Sequence, residues 1–327
     1  MYSAKKQKII KNSKKTLWKL FLLISAFILL HSHADSSVGT KAGNFLKVGI
    51  GARSIGFAES YVSLADDPSS LYWNPAGLSI KKESSILFAY NKWLENISHG
   101  FAGIDLGESD WGTLGFGLTY MSTGDITAYD QYDSIIGSTI AKDVALQFAL
   151  ARKLTLFDHL IHAGITYKYL NQTLDDTTAT GHGIDIGFIS SFLKDNLSIG
   201  LCIQNALSTK IKFYKAKENL FRSVRLGTAY KGFSIYERNI ILSAQVDFDE
   251  EKTKWSTGTE IEIHKPLVVR AGYRSRDIGT GISLGFGIKV KDINIDYAFT
   301  NHGDFNSTHM LSLSLGIPIL KGGPNEK

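Results

Sequence analysis

Between Ser84 and Ile317 the sequence alternates apolar residues with small or polar ones at a period of two, and this pattern constrains the fold more than any other feature. In residues 111–121, for example, Leu114 and Phe116 alternate with glycines. The runs are about 9–11 residues long, which is the length that a tilted strand needs to cross a bilayer, whereas strands of soluble proteins average about 5–6 residues. The alternation therefore predicts long β-strands with one apolar face.

We predict an all-β fold, a closed 14-stranded antiparallel transmembrane β-barrel over residues 84–319, followed by a polar tail over residues 320–327. An even number of strands is typical of bacterial membrane barrels. A soluble β-sandwich with its polar face in water is the alternative. The predicted strands span residues 85–92, 99–107, 111–121, 142–153, 161–170, 182–192, 196–206, 223–231, 239–249, 254–264, 267–276, 281–290, 293–301 and 309–317.

The links between these runs differ in length with their position. Links after even-numbered runs are mostly short, as at residues 108–110 and 291–292, whereas the longest links, 122–141, 171–181 and 207–222, all follow odd-numbered runs. Outer-membrane barrels have short periplasmic turns and long external loops. A soluble sandwich gives no reason for such sorting, so the link lengths favour a membrane barrel.

The two faces of the runs differ in chemistry. One face is Leu, Ile, Val, Phe or Tyr, and the other carries small residues with scattered charges. In a barrel whose apolar side faces lipid, these charges point into the lumen. Glu260 and Glu262 on one strand are therefore expected to lie near Arg270 and Arg274 on the next, in a cross-strand ionic ladder.

Residues 1–34 predict a secretory signal peptide that is not part of the fold. Seven lysines precede an apolar run of 11 residues, 20–30, and Ser32 and Ala34 supply the small residues of a cleavage site. The apolar run is shorter than the roughly 20 residues of a membrane-spanning helix. An uncleaved anchor is the alternative, but we expect cleavage near Ala34 and localisation in a Gram-negative type outer membrane.

Charge and cysteine content narrow the classes of function. The chain has 36 Lys and Arg against 31 Asp and Glu, but the leader holds seven of the basic residues and no acidic one, which leaves 29 against 31. The mature chain therefore lacks the basic surplus that nucleic-acid binding requires, and no nucleic-acid partner is expected. A single cysteine, Cys202, excludes an internal disulfide.

Residues 66–79, DDPSSLYWNPAGLS, predict a short capped helical turn ahead of the strands. Asp67 suits the N-cap and Pro68 the first helical position, while the proline after Asn74 disfavours further helix. Gly77 allows a close-packed exit. Such a turn is too short to fold alone, and a 14-stranded barrel is too wide for its own side chains to fill. We therefore predict that residues 35–83 form a hatch inside the lumen.

Residues 42–79 resemble the N-terminal signature of the PorV/PorQ family, which is related to the FadL-type transporters of long-chain fatty acids. That signature combines a glycine-rich GxGAR stretch, an acidic pair, an aromatic residue and Asn-Pro-Ala-Gly-Leu. The matching residues are Gly49, Gly51, Ala52, Arg53, Asp66, Asp67, Trp73, Asn74, Pro75, Ala76, Gly77 and Leu78. The resemblance implies a FadL-like barrel with a luminal hatch. FadL-type proteins take an apolar ligand from outside and release it sideways through the wall, whereas PorV-type members hold exported proteins at the cell surface.

Two functions follow from this resemblance. The leading hypothesis is a passive outer-membrane channel for hydrophobic compounds such as long-chain fatty acids, embedded in outer-membrane lipid. The alternative is a PorV-type barrel that binds exported cargo together with secretion-system proteins, and an exported enzyme on a soluble sandwich is a third. Arg53 with Asp66 and Asp67 either meets a ligand headgroup or pins the hatch. The expected ligand-binding or hatch residues are Arg53, Asp66, Asp67, Trp73, Asn74, Pro75, Ala76 and Gly77.

The sequence indicates no catalytic, metal or cofactor site. The stretch at Gly49 and Gly51 lacks the third glycine of a dinucleotide loop and no βαβ unit follows it. Asp247, Asp249, Glu250 and Glu251 could bind calcium, but we favour an acidic hairpin loop in water over a calcium site. There is neither a nucleophile elbow nor an HExxH motif. We therefore expect no enzyme activity, no metal and no cofactor.

Overall fold

A computed structural model describes residues 42–93, 97–156, 159–213, 216–236, 238–250, 252–275, 281–302 and 307–317. The predicted signal peptide, the first residues of the predicted hatch and the predicted polar tail lie outside these residues. Within them, four short helical turns precede eighteen strands. None of the helices is long and apolar enough to span a membrane.

The strands occupy most of the chain after Ser84. Their bounds are β1 (Ser84–Lys92), β2 (Ser98–Ser109), β3 (Gly112–Ser122), β4 (Ile126–Tyr129), β5 (Ile135–Thr139), β6 (Ala141–Leu156), β7 (His159–Leu174), β8 (Thr177–Phe192), β9 (Leu197–Ser208), β10 (Ile211–Phe213), β11 (Ala216–Glu218), β12 (Ser223–Ile235), β13 (Arg238–Asp249), β14 (Thr253–His264), β15 (Leu267–Arg274), β16 (Ile282–Val290), β17 (Ile293–Asn301) and β18 (Ser307–Ile317).

Fourteen of these strands form one closed antiparallel barrel, which confirms the predicted fold class. Each barrel strand pairs with its sequence neighbours, and β1 closes the ring on β18 in a register that runs from Ser84 opposite Ile317 to Lys92 opposite His309. The remaining strands form two separate hairpins, β4–β5 and β10–β11, inside the links between barrel strands. The barrel therefore has no open edge that could recruit another strand.

The predicted sorting of links holds with one correction. The links β2–β3, β14–β15 and β16–β17 are two residues long, and the two extra hairpins fall in the links 123–140 and 209–222. Residues 171–181, however, are not a long loop. β7 and β8 each extend over 16 residues and pair to Leu174 opposite Thr177, so that only Asp175 and Asp176 form the turn. The polar residues that mimicked a loop lie in strands that extend beyond the predicted spans.

The outer face of the barrel is apolar. Phe88, Leu118, Phe148 and Leu284 belong to a large set of hydrophobic side chains that are about 40–50% exposed on alternate strand positions. Aromatic side chains lie toward both ends: Trp255 packs on Tyr273 at 5.2 Å between ring centroids, while Tyr90, Tyr120, Trp111 and Tyr236 are exposed. An apolar band between aromatic girdles is the surface of a barrel that spans an outer membrane.

The opposite face packs against residues 42–79. This segment contains a 3₁₀ turn (Asn44–Lys47), helix α1 (Ala52–Gly56), helix α2 (Ser70–Trp73) and a second 3₁₀ turn (Pro75–Ser79). Its largest side chains are fully buried, and together with luminal wall residues such as Leu87 and Phe101 they form the main hydrophobic cluster. Below, residues 42–79 are called the hatch segment.

Candidate functional site

The hatch segment begins at the end of the barrel that carries the long links. Ala42 forms a bridge with Leu220, and the amide of Gly43 donates to Gln172 Oε1 at 3.1 Å. Phe45 and Leu46 are buried in a cluster with Ile211 of β10. Since β1 begins at the opposite, short-turn end, the segment passes through the lumen from one end to the other.

Helix α1 lies against the wall formed by β15 to β18. Gly51 precedes it with φ of 87°, a backbone conformation that favours glycine. The amide of Ala52 donates to Ser312 Oγ on β18, at 2.5 Å. The glycine-rich GxGAR stretch thus turns the chain sharply and anchors the start of the helix to the wall.

The aromatic residues of the hatch segment fill the centre of the lumen. Trp73 is fully buried, its indole N–H donates to the carbonyl of Ile50 at 2.8 Å, and its ring meets those of Tyr61 and Tyr72 edge-on at 6.1 and 4.7 Å. The carbonyl of Tyr72 accepts from Gln204 Nε2 at 3.1 Å. These contacts supply the packing that stabilises helix α2, which is too short to fold alone.

Helix α2 begins at Ser70, not directly after Asp67 as the predicted cap would place it. Asp67 Oδ1 instead accepts from the amide and the hydroxyl of Ser69, at 2.8 and 2.5 Å. Pro68 therefore lies before the helix, and the helix starts two residues later than predicted, at Ser70 instead of Pro68. Asn74 ends the helix in extended conformation at φ −168°, as expected for a residue before proline.

Asn74 connects three parts of the molecule. Its Nδ2 donates to the carbonyls of Val62 in the hatch segment and Phe188 in β8, at 2.9 and 3.1 Å, and its Oδ1 accepts from the amide of Ala76 at 3.2 Å. A side chain at Gly187 would clash with Asn74. The Asn-Pro-Ala-Gly stretch is therefore a docking element that needs a glycine in the wall.

The remaining residues of that stretch are equally close-packed. Ser79 Oγ lies 2.8 Å from His162 Nδ1 on β7. A side chain at Gly164 would meet the backbone of Pro75 and Ala76, and one at Gly77 would meet the carbonyl of Ala65. Several glycines of the predicted strands thus mark where the backbone of the hatch segment touches the wall.

Arg53, Asp66 and Asp67 lie together toward the short-turn end. Arg53 Nη1 is 2.6 Å from Asp66 Oδ1 and 3.0 Å from Tyr61 Oη, and Lys81 Nζ approaches Asp66 to 3.5 Å. Tyr61 Oη donates to Asp67 Oδ2 at 3.2 Å. Burial disfavours the ionised carboxyl of Asp66, but the positive charges of Arg53 and Lys81 outweigh this penalty and hold its pKa well below the usual range.

The wall charges form a network that differs from the predicted ladder. Glu260 lies opposite Arg270, and their side chains meet at 2.6 Å. Glu262 lies opposite Val268 and Arg274 opposite Ser256, so Glu262 and Arg274 are six residues, or about 20 Å, apart along the hairpin. Glu262 instead accepts from Asn239 Nδ2 at 2.8 Å.

Arg274 holds the hatch segment. It contacts Asp247 on β13 and Glu59 in the hatch segment, each at 2.6 Å. Arg270 also contacts Asp296 at 2.6 Å, and Arg53 approaches Glu260 to 3.8 Å. The prediction that all four residues form one ladder is therefore wrong, because the arginines also pair with strands β13 and β17 and with Glu59.

Three wall residues that hold the hatch segment were missed from the sequence. Gln245 Oε1 accepts from the amides of Tyr61 and Val62 at 2.9 and 2.8 Å, and Arg225 donates to both the carbonyl and the hydroxyl of Tyr72 at 3.3 and 3.1 Å. Gln204 is the third. Each is a polar residue at a lumen-facing position of the period-two pattern, and this position is the sequence signal that could have identified it.

The hatch segment leaves a luminal cavity at the short-turn end. Its volume is about 260 Å³, and both Arg53 and Asp66 line it together with Arg270 and Asp296. Two apolar grooves of about 370 and 410 Å³ lie instead on the lipid-facing side, over β1, β2 and β3, where Phe88, Ala102 and Leu118 line both. The cavity inside is thus charged, and the apolar space lies outside.

Solved structures with this fold are known. The chain is similar to the toluene transporter TodX of Pseudomonas putida, with 12% identity, a TM-score of 0.57 and coverage of 82% of this chain and 97% of that one. The chain is also similar to the toluene transporter TbuX of Ralstonia pickettii, with 10% identity, a TM-score of 0.55 and coverage of 82% of this chain and 97% of that one. At such low identity these similarities establish the fold alone. Comparison with curated proteins gives no match.

A family assignment comes from the barrel sequence. The family described as type IX secretion system membrane protein PorP/SprF matches residues 132–315, more than half of the chain. The match starts after the PorV/PorQ-like residues 42–79, so it does not test that finer resemblance. The chain belongs to the PorP/SprF family of type IX secretion system membrane proteins.

Proposed function

We propose that this protein is a closed outer-membrane barrel of a type IX secretion system that binds an exported protein, or another secretion component, at its long-link end. Membership of the PorP/SprF family supports the assignment to a type IX secretion system. The observation that carries the proposal is the filled lumen: the hatch segment packs its backbone against wall glycines and its aromatic residues into the centre. A barrel so filled acts through its surface rather than as a wide pore.

Hairpin β4–β5 offers a surface for such a partner. It lies in the link between β3 and β6, at the end that faces outward in outer-membrane barrels. Tyr132, Ile135 and Ile136 on it are 78%, 70% and 66% exposed. Large apolar side chains exposed together beyond the membrane-spanning strands are typical of protein-binding sites. Residues 123–139 also carry acidic but no basic residues, which favours a partner with a basic face.

Co-purification from native outer membranes tests the proposal. The tagged full-length protein, extracted in mild detergent, is expected to retain a protein partner in stoichiometric amount. The triple variant Tyr132→Ser, Ile135→Ser and Ile136→Ser should lose it, because the apolar contact area is removed. A matched variant of the same hairpin, Gln131→Ser with Ser138→Ala, should keep it. Equal recovery with both variants would exclude the hairpin, and absence of any partner would contradict the proposal.

Passive uptake of hydrophobic compounds such as long-chain fatty acids is the second candidate, favoured by the fold shared with transporters of toluene. The charged luminal cavity does not suit an apolar ligand, so uptake requires a rearranged hatch segment. Extraction and identification of co-purifying lipids separates the two functions. A bound long-chain fatty acid at one per barrel, without a protein partner, would favour uptake. Neither function includes a catalytic role.

A further inference from the structure

The lipid-facing side of β2 is a groove between taller neighbours. Its outward positions include Gly100 and Ala102, which have little or no side chain. At the same levels β1 and β3 present large side chains, namely Phe88, Tyr90, Leu118 and Tyr120. Strands β1 and β3 are two strand spacings, or about 10 Å, apart. The small residues of β2 therefore form a floor, and the large side chains of its two neighbours form the walls.

The two apolar grooves described above follow one another along this floor. They have volumes of about 370 and 410 Å³ and meet at Ala102, which lines both. Gly100 in the first groove and Ile104 in the second are four residues, or about 14 Å, apart along β2. One leaflet contributes half of a hydrocarbon layer of about 30 Å. The grooves together are therefore long enough to hold most of one acyl chain.

The first groove lies toward the external end of the barrel. Tyr90 and Tyr120 line it, and two residues beyond them β1 ends at Lys92 and β3 at Ser122. Ser122 precedes the link 123–140, which is one of the long links. Long links face outward in outer-membrane barrels. The groove is therefore open to lipid of the outer leaflet.

A row of polar side chains crosses the external end of the groove. Its members are successive register partners on β1, β2, β3 and β6, namely Lys92, Ser98, Ser122 and Lys142. Both lysines are exposed, and among the described residues neither has an ion pair. Three strand spacings, or about 14 Å, separate them. Two free cations therefore lie on either side of the groove, with two hydroxyl groups between them.

His309 extends this row beyond Lys92. It is the register partner of Lys92 on β18, and it is exposed. Its Nδ1 lies 2.6 Å from Tyr297 Oη, and its ring meets that of Phe299 edge-on at 5.5 Å between centroids. The imidazole is thus held at the lipid-facing surface. The row offers cationic and hydrogen-bonding groups and no carboxylate, which suits an anionic lipid headgroup.

We propose that one lipid A moiety of outer-leaflet lipopolysaccharide binds here, with an acyl chain in the grooves over Gly100 and Ala102 and phosphate groups at Lys92 and Lys142. Diphosphoryl lipid A carries one phosphate at each end of a sugar pair, so it can reach two separated lysines. A glycerophospholipid with a single phosphate cannot. The proposal needs no protein partner, so it stands or falls separately from the secretion function.

Native mass spectrometry of the full-length protein in detergent, titrated with purified diphosphoryl lipid A, tests this inference. One lipid per barrel should bind several-fold more tightly than phosphatidylglycerol. The double variant Lys92→Gln with Lys142→Gln should weaken binding by about tenfold or more, because each basic residue near an anionic lipid surface contributes about a fivefold factor. Ala102→Phe should also weaken it by about tenfold, because the new ring fills the point where the two grooves meet.

Two matched variants serve as controls. Arg152→Gln removes an exposed lipid-facing cation at the opposite end of β6, and Ala244→Phe adds a ring at a lipid-facing position of β13. Both should bind diphosphoryl lipid A as the unsubstituted protein does. Heat-modifiable gel migration verifies that each variant still forms the barrel.

Three results would overturn the proposal. The first is binding of diphosphoryl lipid A no tighter than that of phosphatidylglycerol, which needs no variant. The second is unchanged affinity in both the double lysine variant and Ala102→Phe. The third is a dimer of the protein that excludes diphosphoryl lipid A and is lost in Ala102→Phe, because this would assign the groove to a second copy of the chain.

Discussion

Gln245 is expected to be a principal pin between the wall and the hatch segment. Its Oε1 accepts from two consecutive backbone amides, Tyr61 and Val62, and all three residues are buried. Gln245→Leu keeps a similar size but leaves the amide of Val62 without its acceptor and leaves the amide of Tyr61 with the carbonyl of Glu59 alone. A buried donor that loses its partner costs about 1–3 kcal/mol, and we expect a loss of that size because the Val62 amide alone loses its acceptor entirely.

Hydrogen–deuterium exchange measures this loss directly. Since about 1.4 kcal/mol corresponds to a tenfold change in an equilibrium constant, exchange in residues 57–65 should accelerate by about 5-fold to 150-fold. Gln172→Leu is the control, because the bond that Gln172 Oε1 accepts comes from the amide of Gly43, at the far end of the segment. It should leave residues 57–65 protected. Unchanged exchange of residues 57–65 in Gln245→Leu would refute the claim that these bonds hold the segment.

Two further perturbations test the contacts of the hatch segment. Gly187→Ala should lower the free energy of unfolding by about 1–3 kcal/mol, because the new methyl group meets Asn74. Gly100→Ala is the control and should be tolerated, since the nearest neighbour of its methyl group is 3.8 Å away. Thermal unfolding compares the two variants, and equal stability would contradict the close approach of Asn74 to Gly187. Because the pKa of Asp66 is lowered in the folded protein, its ion pair with Arg53 contributes fully above the unfolded-state pKa of about 3.9 and is lost as the pH falls below that value. Proteolysis of the hatch segment should therefore be constant from about pH 8 to pH 5 and rise only below about pH 4, and Asp66→Asn should reduce that rise; a rise already near pH 6 would contradict this assignment.

The barrel could be predicted from sequence because lipid imposes one simple rule on every strand. Each lipid-facing position must be apolar over the thickness of the membrane, so apolar residues recur with a period of two in the strands that contain Leu118, Phe148 and Leu284. Residues 171–181 do not follow this pattern, because β7 and β8 continue beyond the predicted strands into a region where polar side chains are tolerated. A two-residue turn was therefore read as a loop.

The contacts inside the lumen were less predictable. Asn74 and Arg53 stood out through their motif, but their partners Phe188 and Glu260 lie on distant strands whose levels depend on the exact register. In the observed register Glu260 lies opposite Arg270, whereas Glu262 lies opposite Val268, six residues away from Arg274. Luminal glycines such as Gly187 were visible as small residues, but only the position of the hatch segment explains them.

The central claim is that residues 42–79 fill a barrel that would otherwise be open, and conductance across a planar bilayer measures this most directly. The full-length protein should show little ionic conductance, since charged solutes have no wide path past the hatch segment. A variant that lacks residues 42–79, with the barrel verified by heat-modifiable migration, should form a large and stable pore, because wall side chains alone cannot fill 14 strands. Equal conductance of the two proteins would contradict the account.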